Sequence, residues 1–508
     1  MEFEDRLKSL NDMGVSGRYM TEAFILNLLR KYIENQGKEF VENLKVSSYL
    51  TDKVTKTIAF FDAFAPEGFD DFAEPTYIEV TSSVSFEKLD SLGDMFERVV
   101  SDGLPARLLI LVTKSYDEEF LTRCRDYFDA LNIAVSIWGV NRIQAIADSL
   151  VDDVNEIGNK LFHLRLESAF NKDSEDWKDK RDDVIRDVST SYGTGQFSLF
   201  LGAGVSSSAG LPDWDTLLNS LFVSLLTSEL DQHRKIEKAE ISSIVKRLRD
   251  VDEPSALMSA RYIRKGMSSS GSVEQNTFIN EVTEQLYSLR DQRFSLESPL
   301  IKSIADMCMP GRTGAKVKSV ITYNFDDLVE RQLNNKGVVH KSIFEEVEVP
   351  SPEELPVYHV HGYLPEDRSA YNNLDRSTLV FSEEGYHKIY GDSYHWSNLV
   401  QLNNLKESTC MMIGLSLTDP NLRRLLEISA RSIEKPKHYA FMQRIDIDYF
   451  SKEGSKKIVN APLSTIKTFL DRHHILNEEV LKELGVNVIW YESYDEIPRI
   501  INKIHRYS

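Results

Sequence analysis

The stretch Phe197-Ser-Leu-Phe-Leu-Gly202-Ala203-Gly204-Val-Ser206-Ser-Ser-Ala209-Gly210-Leu-Pro212 limits what this chain can fold into more than any other. Phe197 to Leu201 is an apolar run of strand length. Gly202 and Gly204 follow, and without a Cβ their backbone N–H groups can come close to a phosphate. Pro212 stands where the next helix would begin, a position at which proline loses no hydrogen bond. Leu217, Leu218, Leu221, Phe222, Leu225 and Leu226 then recur at helical spacing. Strand, glycine turn and helix together predict the first βα unit of a nucleotide-binding sheet. The third glycine of the usual G-x-G-x-x-G would fall at Ser207, so the common dinucleotide fingerprint is not met. The bland alternative is a tight turn in any α/β protein.

Residues 191–508 carry six short apolar runs: 197–201, 317–322, 357–360, 409–413, 438–443 and 486–490. Helical patterns separate most of them, which predicts a Rossmann-like, doubly wound parallel sheet. A helical insertion at 228–300 would sit over the C-terminal edge of that sheet, where ligands bind. Three further segments leave strand ends. In Thr322-Tyr-Asn324-Phe-Asp326, an amide that both donates and accepts suits the orientation of a water. The alternative is that Asn324 and Asp326 merely cap the next helix. In His359-Val-His361-Gly362, alternation puts both imidazoles on one face, and His361 could take a proton near neutral pH. A zinc reading of the pair lacks a third ligand, and His359 reads as a core histidine. Gly414-Leu-Ser416-Leu-Thr-Asp419-Pro420 places a small turn before a helix start, with Asp419 as its cap. Trp214 reads as packing.

The charge balance, 60 basic against 80 acidic residues or −20, weighs against a surface devoted to nucleic acid. Cys124, Cys308 and Cys410 are far apart, which excludes a disulfide framework and a four-cysteine zinc site. With no long apolar run and an acidic start, the expectation is a cytoplasmic protein without a membrane partner.

Residues 1–168 predict a separate α/β domain, with strands at 57–64, 76–82, 107–112 and 133–138 and a helix at 86–100. Residues 169–190 alternate in charge and predict a solvated helical linker.

Gly-Ala-Gly-Val-Ser followed by Ala-Gly-Leu-Pro, with the three downstream segments in order, resembles the sirtuins. The resemblance implies NAD as substrate. Gly202, Ala203, Gly204, Ser206, Ala209, Gly210 and Pro212 would hold the dinucleotide. Gly414 and Ser416 would hold its adenosine ribose, and Asp326 would lie by the nicotinamide pocket. Asn324 would position the nucleophile, with His361 as base or hydroxyl partner. The paired cysteines of the deacylating members are missing, so the resemblance is closer to sirtuin-like domains of bacterial antiphage proteins, which hydrolyse NAD. Residues 1–168 resemble the restriction-endonuclease-like fold, with Asp62 or Asp70 and then Glu79 as acids for a divalent metal. The position at which a lysine is expected after Glu79 holds Thr81; Lys114, the nearest strand-end lysine, could substitute. Such two-part subunits imply a homo-oligomer, a HerA-like ATPase partner and DNA contact. The expected function is an NAD+ hydrolase that depletes NAD+ in antiphage defence once assembly activates it. The alternatives are a metal-dependent nuclease, a regulatory module that binds ADP-ribose or NAD without cleaving it, and a protein deacylase.

Overall fold

The structure is a computed structural model. It describes residues 3–50, 54–100, 105–130, 133–171, 177–230, 272–312, 314–346, 348–381, 383–433, 435–454 and 456–507, with a few positions between 243 and 265. The chain forms two compact units. One comprises Met1–Glu175 with the later segments Ala430–Lys435 and Asp471–Glu483; the other comprises Asp176–Ser429, Pro436–Leu470 and Leu484–Ser508. The C-terminal domain is therefore not the unbroken 191–508 expected from sequence. One reason is visible in the first unit. The buried guanidinium of Arg165 reaches Glu479 at 2.9 Å and Glu483 at 2.6 Å, and a buried cation is tolerated only when paired in this way.

The first unit holds a five-stranded sheet in the order β1 (Val41–Leu50), β2 (Val54–Ala65), β3 (Thr76–Thr81), β4 (Arg107–Val112) and β5 (Val135–Trp138). The first three strands are antiparallel, and β3, β4 and β5 are parallel. Leu109 and Leu111 of β4 pack with the helices Phe3–Asn11 and Gly14–Glu34, while Leu108, Ile110 and Val112 face the helices Phe86–Val100 and Glu118–Ala130. Burial on both faces explains the unbroken apolar run of β4.

The second unit is built on seven strands, all parallel. They are β6 (Phe197–Leu201), β7 (Val317–Thr322), β8 (His340–Ile343), β9 (Leu355–His359), β10 (Thr409–Ile413), β11 (His438–Gln443) and β14 (Val486–Tyr491); β12 (Lys452–Glu453) and β13 (Lys456–Lys457) form a small ribbon apart. Their order is β14-β11-β10-β6-β7-β9-β8. The chain starts at β6, runs outward through β7 to the edge strand β8, turns back to place β9 between them, then crosses to the other side of β6 at β10. The point where strand order reverses therefore lies between β6 and β10, at whose C-terminal ends ligands bind in such sheets. Six strands were expected; the seventh, β8, is a four-residue edge strand.

The charged linker expected at 169–190 is different in the structure. The helix Trp177–Gly193 buries Ile185, Val188, Ser189 and Tyr192, spaced three and four apart, against the sheet. Tyr192 donates to the Met307 carbonyl at 2.8 Å, and Arg181 pairs with Glu496 at 2.6 Å. This helix is part of the second unit's core. Of the expected insertion 228–300, residues 231–271 lie almost wholly outside the described residues. Its described helix, Ser272–Ser288, packs Phe278, Val282 and Leu286 with Leu217 and Leu221, and the same cluster takes in Phe325 and Phe381. Trp214 packs on Phe381 at 4.8 Å between ring centres.

Candidate active site

Four loops meet at the C-terminal edge of β10, β6, β7 and β9. A short helix, Ala203–Ser207, starts directly after β6, well before Pro212, where the sequence predicts the first helix after the glycine turn. The amide of Gly202 donates to the Ile413 carbonyl at 2.9 Å, and that of Gly204 to the Gly414 carbonyl at 3.0 Å. Both amides are thus spent on the neighbouring loop. The glycines serve a backbone-on-backbone contact instead. A Cβ on Gly204 would lie 2.8 Å from the Gly414 Cα, and one on Gly414 would lie 2.7 Å from the Val205 nitrogen. Gly414 also sits at φ +68°, where an L side chain is strained.

Two other residues expected at the dinucleotide, Gly210 and Ala209, have structural work. Gly210, at φ +89°, abuts Asp291, whose amide donates to the Gly210 carbonyl at 2.8 Å. The Ala209 carbonyl accepts from Arg290 at 2.9 Å. Pro212 does not open the helix; that helix starts at Trp214, with the Asp213 carboxylate accepting from the Thr216 amide at 2.8 Å. Ala203 and Ser416 are exposed, and the Ser416 hydroxyl meets that of Thr418 at 2.6 Å.

Asn324 is the hub. It is 8 % exposed, and its amide nitrogen donates to the Gly202 carbonyl at 3.0 Å and to the Ser206 hydroxyl at 2.7 Å. The Ser206 hydroxyl donates in turn to Asp326 at 2.6 Å. Asp326 also accepts from the Leu328 amide at 3.1 Å, so it supports the first turn of the helix Leu328–Asn335. The cap alternative therefore applies to Asp326 in part and to Asn324 not at all. Burial pushes the Asp326 carboxyl up to about 6, against the Ser206 hydrogen bond that favours its ionised form.

Below this hub lies a buried pair. His359 and Glu330 are each 1 % exposed and meet at 2.5 Å. The other ring nitrogen of His359 lies 3.2 Å from the Asn324 carbonyl. Burial pushes Glu330 up, yet the charge and hydrogen bond of His359 outweigh it and hold the carboxyl below its usual range. His359 is thus a core histidine that braces the backbone of Asn324. Glu330 escaped the sequence reading, although an acid on the same helix face as Leu333 is a signal for a buried partner.

His361 stands on the other side of Tyr323, whose ring it meets edge-on at 4.7 Å. Its Nε2 is buried without a hydrogen-bond partner, 3.8 Å from Asp419 Oδ2. Tyr386 donates to that same oxygen at 2.5 Å, while Asp419 Oδ1 accepts from the Leu422 amide at 2.7 Å. Nothing in the sequence pointed to Tyr386.

In the first unit, Asp62 and Glu79 are neighbours and Asp70 is not with them. Asp70 accepts from Tyr32 at 2.9 Å and Gln36 at 2.9 Å, and pairs with Arg142 at 3.2 Å. Asp62 accepts from the Val80 amide at 2.8 Å. Burial, then the Asp62 and Glu22 carboxylates, push Glu79 well above the usual carboxylate range. Lys88 donates to the Thr81 hydroxyl and acts electrostatically on Glu79, so the lysine comes from the following helix, whereas Lys114 is exposed. A small cavity nearby is lined by Arg18, Thr21, Glu22, Val80, Ser82 and Thr113. The hydroxyls of Thr21, Ser82 and Thr113 are buried there without partners. Among the described residues no three His, Cys, Asp or Glu side chains are grouped to hold a metal ion, so the metal expected here finds no cage. No described helix is long and apolar enough to cross a membrane.

Comparison with known proteins agrees with the geometry of the second unit. A SIR2-like domain model matches residues 318–461. The NAD(+) hydrolase ThsA of Enterococcus faecium is 23% identical over 336 residues, 64% of this chain and 58% of that protein. The NAD(+) hydrolase ThsA of Acinetobacter baumannii (strain 532279) is 22% identical over 326 residues, 61% of this chain and 52% of that protein. The chain therefore spans little more than half the length of these relatives. Its C-terminal region contains a SIR2-like domain, and the α/β sheet described above fits that assignment.

Proposed function

We propose that this protein hydrolyses NAD+ to nicotinamide and ADP-ribose in its SIR2-like domain. The observation that carries the reading is Asn324. Both hydrogens of its amide nitrogen are committed to Gly202 and Ser206, which leaves the carbonyl oxygen as an acceptor beside the β6–β10 crevice. An acceptor held that rigidly can orient a water or a ribose hydroxyl. The two ThsA relatives, both NAD(+) hydrolases by name, support the same substrate.

The chemistry needs little acid catalysis. When the C–N bond breaks, its electron pair goes to the cationic pyridinium and neutralises it, so nicotinamide leaves without a proton. The ribose carbon becomes electron-poor, water adds to it, and the proton that water loses passes to His361 and then to solvent. The direct test is nicotinamide release by the wild type and by Asn324→Ala.

Asp326 gives the reading a pH signature. Its carboxyl is raised to about 6, so in the ligand-free protein it gains charge as pH climbs through 6. That rise also means its contribution to folding stability is present below the unfolded value and fades as pH rises through the folded one. A cationic nicotinamide beside it favours the charged form. NAD affinity is therefore expected to rise between pH 5 and pH 7, by about fivefold if binding lowers the carboxyl by one unit. Calorimetric titration across that range checks this; an Asp326→Asn protein with the same slope as wild type would contradict it.

In this reading the protein is an effector of bacterial antiphage defence, silent until assembly as a homo-oligomer or with a HerA-like ATPase. The support is chemical: an ungated enzyme of this kind would empty its own cell of NAD.

A second reading, cleavage of nucleic acid by the first unit, has one observation in its favour: Asp62 and Glu79 stand together with Lys88. The pair falls short of a metal cage by itself. If the reading holds, magnesium-dependent cleavage of duplex DNA disappears in Glu79→Ala and Lys88→Ala while nicotinamide release is untouched. Absence of cleavage by the wild type, alone and with an ATPase partner, refutes it.

A further inference from the structure

His361 has a feature that motif and cap readings do not account for. Its Nε2 is sealed from solvent and makes no hydrogen bond, yet it points at a carboxylate oxygen 3.8 Å away. That distance is beyond a hydrogen bond but within reach of a small ring rotation. The carboxylate is fixed from two sides: the Leu422 amide holds Oδ1 at 2.7 Å, and the Tyr386 hydroxyl holds Oδ2 at 2.5 Å. A helix cap uses only the first of these contacts. The second contact steers Oδ2 toward His361, with the Tyr386 ring edge-on to the imidazole at 5.7 Å between centres. The His361 side chain keeps 11 % of its surface exposed, and since Nε2 is buried, that surface lies elsewhere on the ring.

We propose that Asp419, steered by Tyr386, is the positioning carboxylate of His361. It holds the ring with Nδ1 toward the substrate and stabilises the imidazolium formed when Nδ1 takes the proton of the attacking water. The proposal rests on the hydrolysis reading above. In the step, water's oxygen bonds to the ribose carbon, the C–N electron pair leaves with nicotinamide, and the proton rests on Nδ1 until solvent removes it. The positive ring then meets Asp419 through Nε2–H. Asp419, Tyr323 and Tyr386 are the titratable groups packed on His361 among the described residues. The first is the one carboxylate among them. Burial lowers the tendency of His361 to hold a proton, and Asp419 opposes that.

The experiment uses the full chain with two variants. Asp419→Asn keeps a good capping residue and removes the charge. Tyr386→Phe leaves the cap alone and frees Oδ2. The first readout is the NMR titration of His361, assigned with His361→Gln; the second is the pH profile of nicotinamide release. The expected result for Asp419→Asn is a His361 midpoint lower by about one unit, kcat lower by at least about tenfold, and KM for NAD within about twofold. The acid limb of the profile moves to lower pH. Tyr386→Phe shows the same changes at smaller size. If Asp419→Asn melts early, Tyr386→Phe decides on the same two readouts. An unmoved His361 midpoint with kcat within about twofold of wild type makes Asp419 a cap alone and overturns the proposal. If the wild type releases no nicotinamide, the hydrolysis reading fails, and the titration still decides whether Asp419 governs His361.

Discussion

Asn324→Ala releases nicotinamide at least about a hundredfold more slowly than wild type and melts within a few degrees of it. The loss is large because the amide does two things at once. Its nitrogen ties the β6 loop, through Gly202 and Ser206, to the end of β7, and in the proposed reaction its oxygen orients the attacking water. The alanine protein loses the acceptor and loosens the loop that carries Ser206. The stability cost is smaller, since two hydrogen bonds are worth about 1–3 kcal/mol together in a unit this size. Steady-state release of nicotinamide, with thermal melting as control, checks both halves. A variant that keeps more than about a tenth of wild-type kcat would remove Asn324 from the centre of the reaction.

His359→Ala is expected to be the most destabilising single change in the second unit's site, by about 3–5 kcal/mol. It leaves the Glu330 carboxylate buried at 1 % exposure with its 2.5 Å partner gone. Among the described residues the Ser342 hydroxyl, at 3.2 Å, is then the remaining side-chain donor to it. The pair also gives the sign of a pH effect. Glu330 is held below its usual range, so its contribution is present above the unfolded value and is lost as pH falls through the folded one. Chemical denaturation at pH 7 measures the cost. Adding Glu330→Gln to His359→Ala should recover part of it, because the double variant no longer buries an unpaired charge. A His359→Ala protein within about 1 kcal/mol of wild type would show that the pair is not the brace described here.

The parallel strands were legible because each is an apolar run bounded by turn residues. Phe197–Leu201, Val317–Thr322 and Thr409–Ile413 match the sequence expectation at both ends. The strands that escaped are edge strands. His340–Ile343 is four residues long with three polar residues, and Val41–Leu50 interleaves Glu, Asn and Lys because β1 pairs on one side only. Edge strands carry weak patterns because only part of their surface is buried. The helix expected at 169–190 forms, but its burial was hidden: the charged first turns of Trp177–Gly193 masked an apolar face that begins at Ile185.

The position of the candidate residues was legible where a motif leaves a strand end, as at Asn324, Asp326 and His361. It was not legible where function depends on contacts distant in sequence. Glycines 202 and 204 look like phosphate contacts in one dimension and prove to be the surface on which Gly414 packs. Tyr386 reaches Asp419 across 33 residues, and His359 reaches Glu330 across 29. No local spacing rule connects such pairs; only the parallel sheet brings their loops to one edge.

Nicotinamide release from NAD+, followed for wild type beside Asn324→Ala over a range of protein concentrations and with an ATPase partner added, tests the central claim most directly. Equimolar nicotinamide and ADP-ribose from the wild type, nearly absent from the variant, is the predicted result. Tight NAD binding with no release under any of these conditions would contradict it and make the SIR2-like domain a dinucleotide sensor.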